Sequence, residues 1–146
     1  MSGLQVRNSP GDRHCGACTA CCTCLPLAEG AGNPGAKRAR VPCPRVGALG
    51  CRRYARRPRA CVDFVCAWLG DPTWPNAWRP DRSGLLCLRQ TLEGHLPAAV
   101  IHEIRAGALA KPEGTDIVNH LLRTTVALEI VDSQGQRQSL GAIRAA

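Results

Sequence analysis

Ten cysteines stand at positions 15, 18, 21, 22, 24, 43, 51, 61, 66 and 87, nine of them within 52 residues. A thiolate is a soft electron-pair donor, and the Cys-x-x-Cys spacing turns two sulfurs onto one point, as zinc and iron sites require. Cys15 and Cys18 have that spacing, and so do Cys18 and Cys21. Cys22 follows at once; adjacent side chains are expected to point apart, so the run would feed two ions or leave one thiol over. Cys43, Cys51, Cys61 and Cys66 come at longer intervals and complete a site only if the chain folds back, tying in the segment 25–42. The competing use of dense cysteine is a secreted disulfide framework. The opening MSGLQVRNSPGDRH is polar and broken by Pro10 and Gly11, unlike a secretory leader, and no apolar run has membrane-spanning length. A cytoplasmic protein off the membrane is expected, and in a reducing cytoplasm the thiols read as ligands.

Iron–sulfur ligation competes with zinc. The bacterial ferredoxin run continues from Cys-x-x-Cys-x-x-Cys through three residues to Cys-Pro. Here that step lands on Leu25, Cys24 falls one residue short, and no second copy of the run exists. A ferredoxin proper is therefore not expected, while a single cluster held by some of these thiols stays open. Cys24 could serve as an alternate ligand, and Cys87, inside an apolar stretch, reads as a small buried hydrophobe.

The order Cys15-x-x-Cys18-x-x-Cys21-Cys22, then Cys43, then Gly50-Cys51-x-x-Tyr54-x-x-Arg57-Pro58-x-x-Cys61-x-x-Phe64-x-Cys66-x-Trp68-Leu69 resembles the bacterial CxxCxxCC family of YkgJ-type cysteine cluster proteins. Trp78-Arg79-Pro80-Asp81 looks like a continuation seen in its short members. The resemblance covers about residues 14–69 and implies a zinc- or iron-chelating domain. Its ligands would be Cys15, Cys18, Cys21, Cys22, Cys43, Cys51, Cys61 and Cys66. Longer relatives that methylate flagellin lysines are thought to use an iron–sulfur cluster, but this chain lacks room for their remaining parts. The resemblance thus implies metal binding, with a non-enzymatic role preferred over a redox or radical enzyme component.

The formal charge of +8 counts each thiol as neutral; eight thiolates on two divalent ions would leave about +4. Lys37, Arg38, Arg40, Arg45, Arg52, Arg53, Arg56, Arg57 and Arg59 lie among the ligands, with no acid between Glu29 and Asp63. These cations read first as compensation for thiolates, and second as the surface of a zinc-ribbon-like nucleic-acid binder. The five aromatics, Tyr54, Phe64, Trp68, Trp74 and Trp78, fall within 25 residues and suggest a hydrophobic shield over the metal rather than a stacking platform. His14 abuts the first ligand and reads as a surface histidine. His95, His102 and His120 have no nucleophile or carboxylate at catalytic spacing. Asp63 is expected to pair with a neighbouring arginine, and Arg57 to donate to a cysteine sulfur or a backbone carbonyl. No protein partner can be named.

The elements that must position these residues differ between the two halves. Up to about residue 80 large aliphatics are sparse, and a stretch with so little to bury needs metal, disulfides or a partner to fold. The expected class is α+β: residues 1–13 a disordered lead-in, 14–80 a small metal-stabilised, irregular cysteine-rich module with short helices, and 81–146 a small ββαββ part packed on it. Within the module, 25–42 reads as loop, 52–57 as a short helix stopped by Pro58, and 61–69 as a helix; 71–80 reads as irregular. In the second half, 84–90 and 96–104 read as strands joined at Glu93-Gly94. Residues 112–123 read as a helix capped by Thr115 with Ile117, Val118, Leu121 and Leu122 on one face. Residues 125–132 and 137–140 read as strands, with Val126, Leu128 and Ile130 inward.

Overall fold

A computed structural model describes residues 13, 15, 18–27, 29, 36–48, 50–52 and 54–140. The lead-in 1–13, apart from Arg13, lies outside the described residues, as do His14 and much of the loop 25–42. The described chain is α+β and falls into two compact units. The first takes residues up to Val65 with Leu69–Pro72; the second takes Cys66–Trp68 and the chain from Thr73 onward.

In the first unit, α1 spans Ala20–Cys24 and ends because Leu25 precedes Pro26 and is extended. Two short strands, β1 (Val46–Gly47) and β2 (Gly50–Cys51), pair antiparallel. A single 3-10 turn at Tyr54–Arg56 stands where a helix over 52–57 is expected. α2 (Arg59–Asp63) follows Pro58, and α3 (Ala67–Gly70) comes after a break. The expected continuous helix over 61–69 is thus interrupted at Phe64, whose backbone is extended. Periodicity presumes one core, but Phe64 and Val65 go with the first unit and Trp68 with the second. Among the described residues of the first unit, the buried apolar ones are Ala20, Cys24 and Leu69. That is far too little to hold a fold by itself.

The second unit is built as expected, ββαββ. After a 3-10 turn (Asn76–Trp78) and α4 (Pro80–Ser83), β3 (Leu85–Leu92) and β4 (Leu96–Glu103) form a hairpin. Its tip turns on Glu93 and Gly94, both at positive φ. A 3-10 turn (Ala108–Ala110) leads into α5 (Pro112–Thr124), which crosses to β5 (Ala127–Val131), parallel to β4; β6 (Arg137–Leu140) closes the order β3-β4-β5-β6. Leu85, Leu86, Ile101, Ile117 and Leu121 are fully buried, with Leu128, Ile130 and Val131 also buried; because side chains alternate along a strand, Leu85, Ile101, Leu128 and Ile130 share one face of the sheet and Leu86 and Val131 the other.

Two details depart from expectation. Lys111, not Thr115, is the N-cap of α5, because Pro112 takes the first helical position, where its missing N–H costs nothing. Val126 is 40% exposed and Leu122 39%; Leu122 is turned about 100° around α5 from the fully buried Leu121, and Val126 precedes β5. Glu103 is buried, its carboxylate accepting from the backbone N–H of Leu109 (3.2 Å) and of Ser133 (3.0 Å), so one acid anchors two loops. Gly114 lets α5 approach the preceding 3-10 turn; a Cβ there would lie 2.2 Å from the Ala108 carbonyl oxygen. Among the described residues, no helix is long and apolar enough to cross a membrane.

Candidate metal centre

The site begins with a turn and one helical turn. Cys18 N–H donates to the Cys15 carbonyl (3.0 Å), closing the first Cys-x-x-Cys segment. α1 then carries Cys21, Cys22 and Cys24, with Thr23 Oγ bonding back to the Thr19 (3.0 Å) and Ala20 (3.1 Å) carbonyls. On a helix consecutive side chains diverge by about 100°, not the 180° of a strand. Cys21 and Cys22 accordingly do not point fully apart, and their thiols share a hydrogen bond. Cys24, a buried residue of α1, has its thiol pushed up by burial, against the pull of Arg40 and Lys37.

The chain does fold back onto this helix. Leu27 and Lys37 exchange two backbone hydrogen bonds (2.9 and 2.7 Å), and Arg40 N–H reaches the Cys24 carbonyl (3.0 Å). Cys43 N–H then donates to the Cys22 carbonyl (3.0 Å). Cys43 opens a tight turn, with Val46 N–H on its carbonyl (3.0 Å) and Arg45 N–H pointing at its sulfur (3.5 Å). An amide aimed at sulfur is the kind of outer contact that orients a metal-bound thiolate. Cys51 pairs with Val46 across the β1–β2 ribbon, and Arg52 fastens the turn through the Pro44 carbonyl (2.7 Å). Cys61 sits in α2, its N–H on the Pro58 carbonyl (2.9 Å).

The electrostatics show which thiols are neighbours. Cys21 is pushed strongly up, first by its hydrogen bond with Cys22, then by burial and by the charges of Cys22, Cys15 and Cys18. Cys22 is drawn down to about 7, first by the bond from Cys21; burial opposes, while Lys37 and Arg57 assist. Cys21 is thus the donor and Cys22 the incipient thiolate. Cys61 is pushed up by burial and then by Cys22, Cys51 and Cys43. Seven of the eight expected ligands, Cys15, Cys18, Cys21, Cys22, Cys43, Cys51 and Cys61, therefore surround α1 in the first unit. The eighth, Cys66, is buried in the second unit, where its charge helps burial push the Cys87 thiol up. Cys87 is itself a buried strand residue, as expected.

Two supporting residues stand out. Lys37 places its ammonium on the Leu25 carbonyl and on the Arg38 carbonyl (3.0 Å); burial lowers its pKa, while Cys43, Cys22, Cys24 and Cys21 oppose that. The sequence names Lys37 only as one cation among many; its role depends on the Leu27–Lys37 closure, which no local pattern announces. Tyr54 hydrogen-bonds the Cys15 backbone and carries the Arg57 guanidinium 3.8 Å over its ring. Arg57 also donates to the Tyr54 carbonyl (2.8 Å), the backbone option foreseen for it. Asp63 pairs with Arg59 at 3.2 Å on an exposed face.

The aromatics do not form one shield: Trp68, Trp74 and Trp78 belong to the second unit, where Trp74 and Trp78 pack edge-on with each other (5.0 Å) and with His120. That unit also has a cavity of about 430 Å³ lined by Arg82, Arg105, Lys111 and Glu113; it presents cations, so it is no metal site. Among the described residues, no three His, Cys, Asp or Glu side chains stand close enough together to hold a metal ion as they lie. The donor set nevertheless suits zinc or iron in kind: soft sulfurs, an amide directed at one of them, and cations beside the Cys22 thiol, which is drawn down to about 7. Comparison with known proteins gives no match: no family model, no curated protein and no solved structure aligns with this chain.

Proposed function

We propose that the first unit is a zinc- or iron-binding cysteine cluster with a non-enzymatic role, in which the metal supplies the cohesion that its apolar residues lack. One observation carries the reading: seven cysteines spread over 47 residues of sequence gather around one helical turn. The resemblance to the YkgJ-type family points the same way and adds Cys66 to the ligand set. Cys15, Cys18, Cys21, Cys22, Cys43, Cys51 and Cys61 would hold the metal as thiolates. A bound divalent ion would replace the mutual repulsion of these thiolates with attraction to a common centre.

The chain's own residues prepare this. The Cys21-to-Cys22 hydrogen bond, with Lys37 and Arg57, favours ionisation of Cys22 near neutral pH. The Arg45 amide points at the Cys43 sulfur and would help orient it. Since the unfolded chain has no preformed site, metal binding and consolidation of the unit would be one event. A reducing cytoplasm would keep these thiols available. An iron–sulfur cluster is the second reading, favoured by the Cys15, Cys18 and Cys21 grouping.

Elemental analysis and an absorption spectrum of protein purified without oxygen test the proposal. One or two metals per chain are expected, colourless for zinc; a brown protein with a band at about 400 nm would move the assignment to iron–sulfur. Metal-free protein that takes up neither zinc nor iron would refute both.

A further inference from the structure

We propose that the cavity of the second unit is a binding site for the phosphate group of a small hydroxylated molecule, such as a sugar phosphate. The cavity measures about 430 Å³ and is lined wholly by residues of that unit, so the proposal stands apart from the metal-binding reading. Sites for small organic ligands are concave and start at about 300 Å³, whereas a phosphate group alone would leave much of this space unfilled. Three cations reach the hollow from separate places in the sequence. Arg82 comes from the last turn of α4, Arg105 from the chain just after β4, and Lys111 from the N-cap of α5. A single acid, Glu113, lines it with them. Among the described residues, Arg82, Lys111 and Glu113 enter no ion pair, and the neighbouring Asp81 is taken by Arg79 at 2.9 Å. Like charges gathered without a counter-charge repel one another, and an anion placed among them relieves that repulsion.

The walls are held by the fold itself. Arg105 donates to the carbonyls of Asp81 (3.1 Å) and Arg82 (2.8 Å), which fix its guanidinium without cancelling its charge. Two of its N–H groups are used in this way, and the others remain for an oxyanion. Gly84, at φ 79°, makes room for that side chain; a Cβ there would stand 3.3 Å from the central guanidinium carbon and 2.8 Å from the Ala108 Cβ. The Gly84 carbonyl accepts from the N–H groups of Ile104 (2.8 Å) and Arg105 (3.4 Å), so the end of α4 and the end of β4 hold each other. Ser83 is buried, its hydroxyl donating to the Trp78 carbonyl (3.3 Å) and accepting from the Leu85 N–H (3.2 Å). It therefore shapes the wall, while the ligand's charge falls to the three cations.

Charge and lining define the ligand. A guanidinium presents a planar fork of N–H groups that matches two phosphate oxygens, and an ammonium adds a compact point charge. Glu113 would repel a second anionic group but would accept from a hydroxyl, so one phosphate with a hydroxyl-bearing remainder fits. The rest of the described lining is Ser83 and three alanines, which offer no aromatic face on which a nucleobase could stack.

Titration of the reduced, isotope-labelled full chain with glucose 6-phosphate, inorganic phosphate and glucose, followed by backbone amide chemical shifts, tests the assignment. Glucose 6-phosphate should bind more tightly than inorganic phosphate, glucose should not bind, and the shifts should centre on Arg82, Arg105, Lys111 and Glu113. Arg82→Gln and Lys111→Gln should each weaken glucose 6-phosphate by about fivefold, since both side chains are exposed and both variants should fold. Arg38→Gln, an exposed cation of the first unit, should leave the affinity unchanged. Equal weakening by Arg38→Gln would reveal diffuse attraction to a basic chain and overturn the site. Equal affinity for the two phosphates would overturn the ester and leave the cavity to free phosphate. Failure of both to shift these amides at millimolar concentration would overturn the proposal altogether.

Discussion

Cys21 and Cys22 show how far two neighbouring residues of one type can be driven apart. The hydrogen bond between them keeps the proton on Cys21, and the Lys37 and Arg57 charges reinforce the anion on Cys22. Cys22 falls from the ordinary 9.0 to about 7. A lowered acid stabilises the fold above its unfolded value, and that contribution is lost as the pH falls through about 7. In reduced, metal-free protein, Cys22 should therefore be alkylated by iodoacetamide with half-maximal rate at about pH 7. Cys87, buried and pushed upward, should react only on unfolding. Peptide mapping of the labelled protein over a pH series checks this, and equal reactivity of the two would contradict it. The Cys-x-x-Cys run and its neighbour Cys22 are legible in sequence because they are local. The part played by Lys37 is not, because it depends on a loop closing 12 residues away at Leu25.

At the scale of elements, legibility follows the length of the pattern. The strands of the second unit, the hairpin tip at Glu93-Gly94 and α5 are readable because alternation and helical period persist over whole segments. The segment 61–69 misleads because its apolar residues serve two units. Close approach between elements is invisible to periodicity. Propensity alone would favour alanine over glycine at position 114 of α5 by about 1 kcal/mol. The Ala108 carbonyl reverses that sign, since a Cβ would come within 2.2 Å of it. Gly114→Ala should thus destabilise the protein by roughly 1–3 kcal/mol, read as a lower urea midpoint at unchanged slope. An unchanged or raised midpoint would show that the turn yields freely.

The whole molecule joins two units of contrasting make-up. The second has a continuous core under a four-stranded sheet; the first, among its described residues, buries little apolar surface and gathers thiols instead. Composition reveals this contrast, because aliphatics and cysteines concentrate in opposite halves. It does not reveal the division near residues 65–73, which follows from where Cys66, Trp68 and Leu69 pack. The central claim is that a cation does for the first unit what a core does for the second. Amide hydrogen exchange of the reduced full chain, before and after a strong chelator, tests it most directly. The account predicts that chelation releases zinc or iron and abolishes protection around Cys18–Cys61, while protection from Leu85 to Val131 persists. Unchanged protection around Cys18–Cys61 after complete metal removal, or thiols found joined pairwise as disulfides, would contradict it.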